Sequence, residues 1–219
     1  MTWEVRQGDA RQLARAFQPS APTVVITDPV WPNRGPTLFP GIDEFTLLRD
    51  TLLALVGKVS HVVVHVGVRT DPRFLLAVPG AWTFWRTCWL RYHVPSYQGC
   101  ALIGSECAYV FGPERHPTRA RVAPGECTAA GRLGKGPTKH PCPRSVEHLR
   151  WLVRWFTQPG ETVLDPFCGS GTTLVAAHEH GRSAVGWDID AEYCALAEGR
   201  LAQQQLPLGR VRPKEAESP

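Results

Sequence analysis

Two short segments hold residue types from which chemistry could be built: residues 165–173 read DPFCGSGTT, and residues 28–31 read DPVW. In the first, glycines at 169 and 171 allow the backbone to approach a ligand closely. The start of a following helix offers unpaired N–H groups at the positive end of its dipole, so the site favours an anion. Asp188, in GWDID, stands about 20 residues on, the spacing at which an acid ending the next strand hydrogen-bonds ribose hydroxyls. No Lys follows the glycines, which disfavours a phosphate-binding loop, because that chemistry needs a cation on the terminal phosphates. A carboxylate at Asp165 suits an ammonium group, as on an amino-acid moiety, and leaves the ligand's own carboxylate for the loop amides.

The elements that would position these residues are legible in the periodicity. TVVIT (23–27) is a β-branched run that delivers Asp28 and Pro29 to its C-terminal edge, and a helix follows over 44–56 with Phe45, Leu48, Leu52 and Leu55 at helical spacing. Residues 59–66, 82–94 and 101–111 read as strands, the second of them unusually aromatic. His61 and His65 share a face of the first by period 2 and read as structural. Ser145 is placed to cap a helix whose Val146, Leu149, Val153 and Phe156 share one face, stopped by Pro159 and Gly160. Then come a strand at 162–164, a helix at 172–180, a strand at 183–187 and a helix at 191–204 capped by Asp190. The glycine loop thus sits inside a βαβ unit.

At 219 residues with 43% hydrophobic side chains, the chain can bury one good core and is short for two. One domain over 1–204 is expected, with a flexible tail over 205–219 that has little to bury. The first ten residues carry Glu4, Arg6 and Asp9 without an apolar run, so no secretory signal is visible. No stretch reaches membrane-spanning length. Seven cysteines without CxxC pairs fit a reducing cytoplasm, and no Cys/His cluster has zinc spacing, so no metal is expected. Although the net charge is only +4, residues 112–150 hold eight Lys or Arg against three Glu. Residues 112–138 lack periodicity and read as a long surface loop with a function or as a disordered insert.

DPFCGSGTT followed by GWDID resembles the cofactor site of S-adenosylmethionine-dependent DNA amino-methyltransferases, and KHPCPR (139–144) resembles the segment that precedes it there. DPVW resembles the family's DPPY or DPPW signature, with Val30 in place of the second proline. The tetrapeptide comes first and the cofactor loop last, an order that resembles the circularly permuted β group. It argues against protein glutamine methyltransferases, whose similar tetrapeptide follows the loop. The resemblance spans Gly8 to about Leu201 and implies an α/β, Rossmann-like methyltransferase fold with permuted motif order: a mixed, mostly parallel sheet with helices on both faces. It implies that Asp165, Phe167, Cys168, Gly169, Ser170, Gly171 and Thr172 surround S-adenosylmethionine, that Asp188 holds its ribose, and that Lys139, His140 and Pro141 border its methionine end. Asp9, in the pair GD, takes the place of an acid that contacts the cofactor adenine.

The chemistry expected at the other segment follows from the nucleophile. An exocyclic amine on a nucleobase is a poor one because its lone pair is delocalised into the ring. Asp28 and the Pro29 carbonyl, both accepting hydrogen bonds from that NH₂, would localise it. The base must leave the duplex, at a cost of a few kcal/mol, and Trp31 is the expected stacking platform. Asp at position 28 tilts the expectation to adenine N6, since the cytosine enzymes more often carry Ser there. Cytosine N4 and a non-catalytic DNA-binding relative remain as alternatives. The DNA contacts are assigned to Arg115, Arg119, Arg121, Arg132 and Lys135 within 112–138, a short reading segment in a monomer or homodimer.

Overall fold

Continuous β-branched runs become the centre of a sheet covered on both faces. In the computed structural model, which describes residues 1–32, 41, 43–114, 124–132 and 144–205, all five residues of TVVIT are buried, as are the first six of HVVVHVG. The strands are β1 (Trp3–Gln7), β2 (Thr23–Thr27), β3 (His61–Gly67), β4 (Phe84–Gln98), β5 (Ala101–Phe111), β6 (Glu126–Arg132), β7 (Thr162–Asp165) and β8 (Ser183–Asp188). They form one sheet in the order β1-β8-β7-β2-β3-β5-β4-β6. Only β5 runs against the others. The expected mixed, mostly parallel sheet is therefore what the chain builds.

Two helices, α1 (Ala10–Ala16) and α2 (Glu44–Leu55), cover one face; α3 (Val146–Phe156), α4 (Thr172–Glu179) and α5 (Ala191–Gln205) cover the other. The pleat sorts the side chains: Val25, Val62 and Val64 pack with Leu48 and Leu52 of α2, whereas Val24, Ile26 and Val63 pack with Leu149 and Val153 of α3 and Leu174 of α4. Among the described residues no helix is long and apolar enough to cross a membrane.

Four elements depart from the sequence reading. The first strand, WEVRQ, has only Trp3 and Val5 half-buried at the edge of the sheet, so it shows no apolar run. The reading of 112–138 as loop is corrected at 126–132, where ECTAAGR forms the far edge strand, parallel to β4. Its small and polar residues carry no periodic signal. Trp82 precedes β4 rather than opening it, and its indole N–H donates to the Val59 carbonyl at 3.3 Å. Ser145 stands at the N-cap of α3 without a side-chain cap bond, whereas Asp190 accepts from the Glu192 N–H ahead of α5 as expected. The tail beyond Gln205 lies outside the described residues.

Candidate active site at the switch point of the sheet

From the adjacent parallel pair β7 and β2 the chain proceeds in opposite directions. The first crosses through α4 to β8, the second through α2 to β3, and those helices lie on opposite faces. A crevice opens outside the carboxyl ends of strands where the winding reverses in this way. Asp165 and Asp28 stand at those two ends. The Thr27 hydroxyl donates to Asp165 Oδ1 at 2.7 Å, so segments 138 residues apart in the chain are stitched together at the strand tips.

The glycine loop is held from several sides. Phe167 N–H donates to Asp165 Oδ1 at 3.2 Å, Cys168 N–H to the Trp187 carbonyl at 2.9 Å, and Gly169 N–H to Asp188 Oδ2 at 2.9 Å. Gly171 is the N-cap of α4 in the left-handed region, with φ +77°. Arg200 of α5, a residue the sequence reading did not single out, donates to the Ser170 carbonyl at 2.5 Å and to the Thr172 hydroxyl at 3.1 Å. Cys168 is buried, and burial raises its thiol pKa well above the ordinary value, in keeping with a small filler. Asp188 ends β8 beside Gly8, whose N–H donates to the Asp188 carbonyl at 2.8 Å. Asp9 is thereby brought to the same sheet edge, yet its carboxylate caps α1 through Arg11 N–H and pairs with the Arg11 guanidinium at 2.5 Å. Those hydrogen bonds from Arg11 hold its pKa below the ordinary range.

Asp165 is fully enclosed. Desolvation pushes its pKa up to about 6, against the opposing hydrogen bonds from Thr173, Thr27 and the Phe167 N–H, and the nearby Asp28 charge adds to the rise.

Around Asp28 lies a network that the motifs did not announce. Arg144 donates from Nε to Asp28 Oδ2 at 2.5 Å and from one terminal nitrogen to Oδ1 at 3.3 Å. Its other terminal nitrogen donates to Glu106 Oε1 at 2.6 Å. Glu106 Oε2 accepts from the Tyr92 hydroxyl at 2.7 Å and lies 3.1 Å from His65 Nε2. Burial alone would raise the Glu106 pKa, but the charges of His65 and Arg144 and the hydrogen bonds from His65 and Tyr92 outweigh it and hold it at about 2. A lone acid in the apolar strand ALIGSECAYVF was the one available signal, because a buried carboxylate requires partners. His61, by contrast, faces the Pro113 carbonyl at 2.8 Å, away from this network.

Pro29 is buried and Asp28 partly open. Trp31 is 8% exposed, donates from its indole N–H to the His65 carbonyl at 3.3 Å, and carries the Arg144 guanidinium 4.0 Å from the ring centroid. The expected stacking face is thus covered by a cation. Lys139, His140, Pro141, Arg115, Arg119, Arg121 and Lys135 lie outside the described residues, while the Arg132 backbone ends β6.

Comparisons with known proteins bear on the family and the fold. Residues 57–199 match the family model described as DNA methylase. The chain is 28% identical over 213 residues to the candidate methylase YubD of Escherichia coli (strain K12), covering 91% of this chain and 90% of that one. It is 42% identical over 60 residues to the type II methyltransferase M.MjaI of Methanocaldococcus jannaschii, a match that spans 27% of this chain and 20% of that protein. The crystal structure of the M1.HpyAVI–SAM complex superimposes with a TM-score of 0.69 at 20% identity, covering 91% of this chain and 99% of the other.

Proposed function

Because the chain belongs to the DNA methylase family, we propose that it transfers a methyl group from S-adenosylmethionine to the exocyclic amine of a base in DNA, adenine N6 in the first place. The observation that carries this reading is the meeting of Asp28 with the glycine loop at a single switch point, joined through Thr27 and Asp165. S-adenosylmethionine, when bound, supplies a methyl group on a positively charged sulfur.

The residues divide the remaining work. The cofactor's carboxylate is assigned to the Ser170 N–H, because the Gly169 and Gly171 N–H groups already donate to Asp188 and to the Cys168 carbonyl; Phe167 forms a wall, and Asp188 takes the ribose hydroxyls with the oxygen capacity left beyond its backbone bonds. Asp28 and the Pro29 carbonyl accept hydrogen bonds from the target NH₂ and make its lone pair available for in-line attack. Phosphate contacts are assigned to Arg115, Arg119, Arg121, Arg132 and Lys135. Asp28, where Ser would favour cytosine, directs the reading to adenine.

Mass spectrometry of nucleosides from DNA incubated with the protein and cofactor tests this directly. N6-methyladenine is the expected product. N4-methylcytosine would reassign the acceptor, and cofactor binding without transfer to any DNA would make the chain a non-catalytic relative.

Asp165 provides a pH test of the cofactor site. Its free carboxyl is protonated below about pH 6, whereas an ammonium within about 4–6 Å favours the ionised form. Cofactor binding then releases a proton at low pH, so affinity falls as pH drops below about 6, approaching tenfold per unit, and is flat above it. Isothermal titration between pH 5 and 8 checks this, and Asp165→Asn should flatten the profile. The same raised pKa acts oppositely on the free protein. Between the ordinary carboxyl value and about 6 the folded state binds more protons than the unfolded, so this group makes the fold less stable as pH rises through that window.

A further inference from the structure

The Arg144 guanidinium holds the position and the contacts that a target base would need. It is planar, it is stacked 4.0 Å from the Trp31 ring centroid, and it presents two N–H groups to the two oxygens of Asp28. A flipped adenine or cytosine offers the same features, a flat π-face and an N–H edge. Trp31 is buried and Arg144 is only 7% exposed, so base and guanidinium cannot share that face with Asp28 in hydrogen-bond reach of both. We propose that Arg144 is a positioning residue that stands in for the target base in the free enzyme and is turned off Asp28 and Trp31 when the base enters. This rests on the reading of Asp28 as the acceptor for the target amine.

The surroundings supply a pivot. Glu106 is buried and anchored by Tyr92 and His65, and it grips the opposite side of the guanidinium at 2.6 Å. A rotation that releases Asp28 therefore leaves Arg144 with a charge-assisted partner, and Glu106 is never a bare buried anion. The stand-in also explains how Asp28, a carboxylate beside the enclosed Asp165, is compensated before substrate arrives. Because the competent open state is a minor one, apparent affinity for DNA is lowered by its population, at least about tenfold if that population is about 10% or less. Entry is thereby restricted to bases whose stacking and hydrogen bonds replace both contacts at once.

The test uses full-length protein with arginine labelled in ¹⁵N and an oligonucleotide that the wild type methylates. The Nε–H resonance of Arg144, identified by its loss in Arg144→Lys, is expected to carry the ring-current shift of Trp31 in the free protein. It should lose that shift when the oligonucleotide is added with the demethylated cofactor product bound. In parallel, the double variant Arg144→Met/Glu106→Gln, which removes both members of the buried pair and leaves as the uncompensated charge the partly open Asp28 that is to receive the base, should show a KM for DNA about tenfold lower. A merely structural role for the pair would not produce that change. An Arg144 resonance that stays in place at saturating oligonucleotide, or a KM that does not fall, would overturn the stand-in while leaving the methyltransferase reading intact. If the wild type methylates no DNA at all, that reading falls and the stand-in with it.

Discussion

Replacing Asp28 by Ala is expected to lower the rate of methyl transfer about a thousandfold while cofactor affinity stays within about twofold of wild type. Removing one preorganised polar group aimed at developing charge costs roughly 10²–10³ in rate in comparable sites. Here the lost carboxylate is one of just two acceptors assigned to the amine. The cofactor contacts are assigned to β7, the glycine loop and β8, whose hydrogen bonds do not pass through the Asp28 side chain. Arg144 loses its bond to Asp28 in this variant but keeps Glu106, so no buried ion is orphaned and the site need not collapse. Single-turnover kinetics with a separate measurement of cofactor binding distinguish the two effects. Transfer at the wild-type rate would remove Asp28 from the mechanism. Equal loss of binding and transfer would mean that the side chain supports the site rather than acting in it.

The parts of this site that were legible in the sequence are those whose local chemistry announces them. Glycines at 169 and 171 between an apolar strand and a helix, and an acid ending the next strand, restrict what can bind before any coordinates are known. The β-branched runs 23–27 and 59–66 read as strands, and in the structure 23–27 and 61–66 are buried throughout. Edge strands are different, because one side faces solvent and a short alternation such as WEVRQ or a small-residue segment such as ECTAAGR resembles loop. The Asp28–Arg144–Glu106 network was illegible for another reason. Its members come from the end of β2, the residue before the α3 cap and the middle of β5, so no spacing within the chain relates them. Only the antiparallel register that sets Glu106 opposite Gly67 carries the acid toward His65 and the β2 tip. Trp31 was legible as an aromatic next to the acid, but its coverage by a guanidinium was not.

Gly171→Ala should show how much the cofactor loop depends on close backbone approach. The residue sits at φ +77°, where a side chain costs roughly 1–2 kcal/mol, and a Cβ there would fall 2.7 Å from the Ala197 Cβ and 3.1 Å from its Cα on α5. Over-packing against a helix backbone adds about 1–3 kcal/mol, because Ala197 is fully buried and α5 cannot retreat without disturbing its packing on α4. At about 2–4 °C per kcal/mol for a domain of this size, the melting temperature should fall by roughly 4–20 °C. Cofactor affinity should fall more than about tenfold, since losing a single charge-assisted bond from a displaced loop amide is enough for that. Adding Ala197→Gly separates the two causes. It removes the Cβ–Cβ contact while leaving the left-handed φ and the Cα at 3.1 Å, so the double variant should recover part of the lost stability and less of the affinity. If Gly171→Ala melts and binds cofactor like the wild type, the loop tolerates displacement, and α4 does not present its N-terminus to the ligand in the way the site requires.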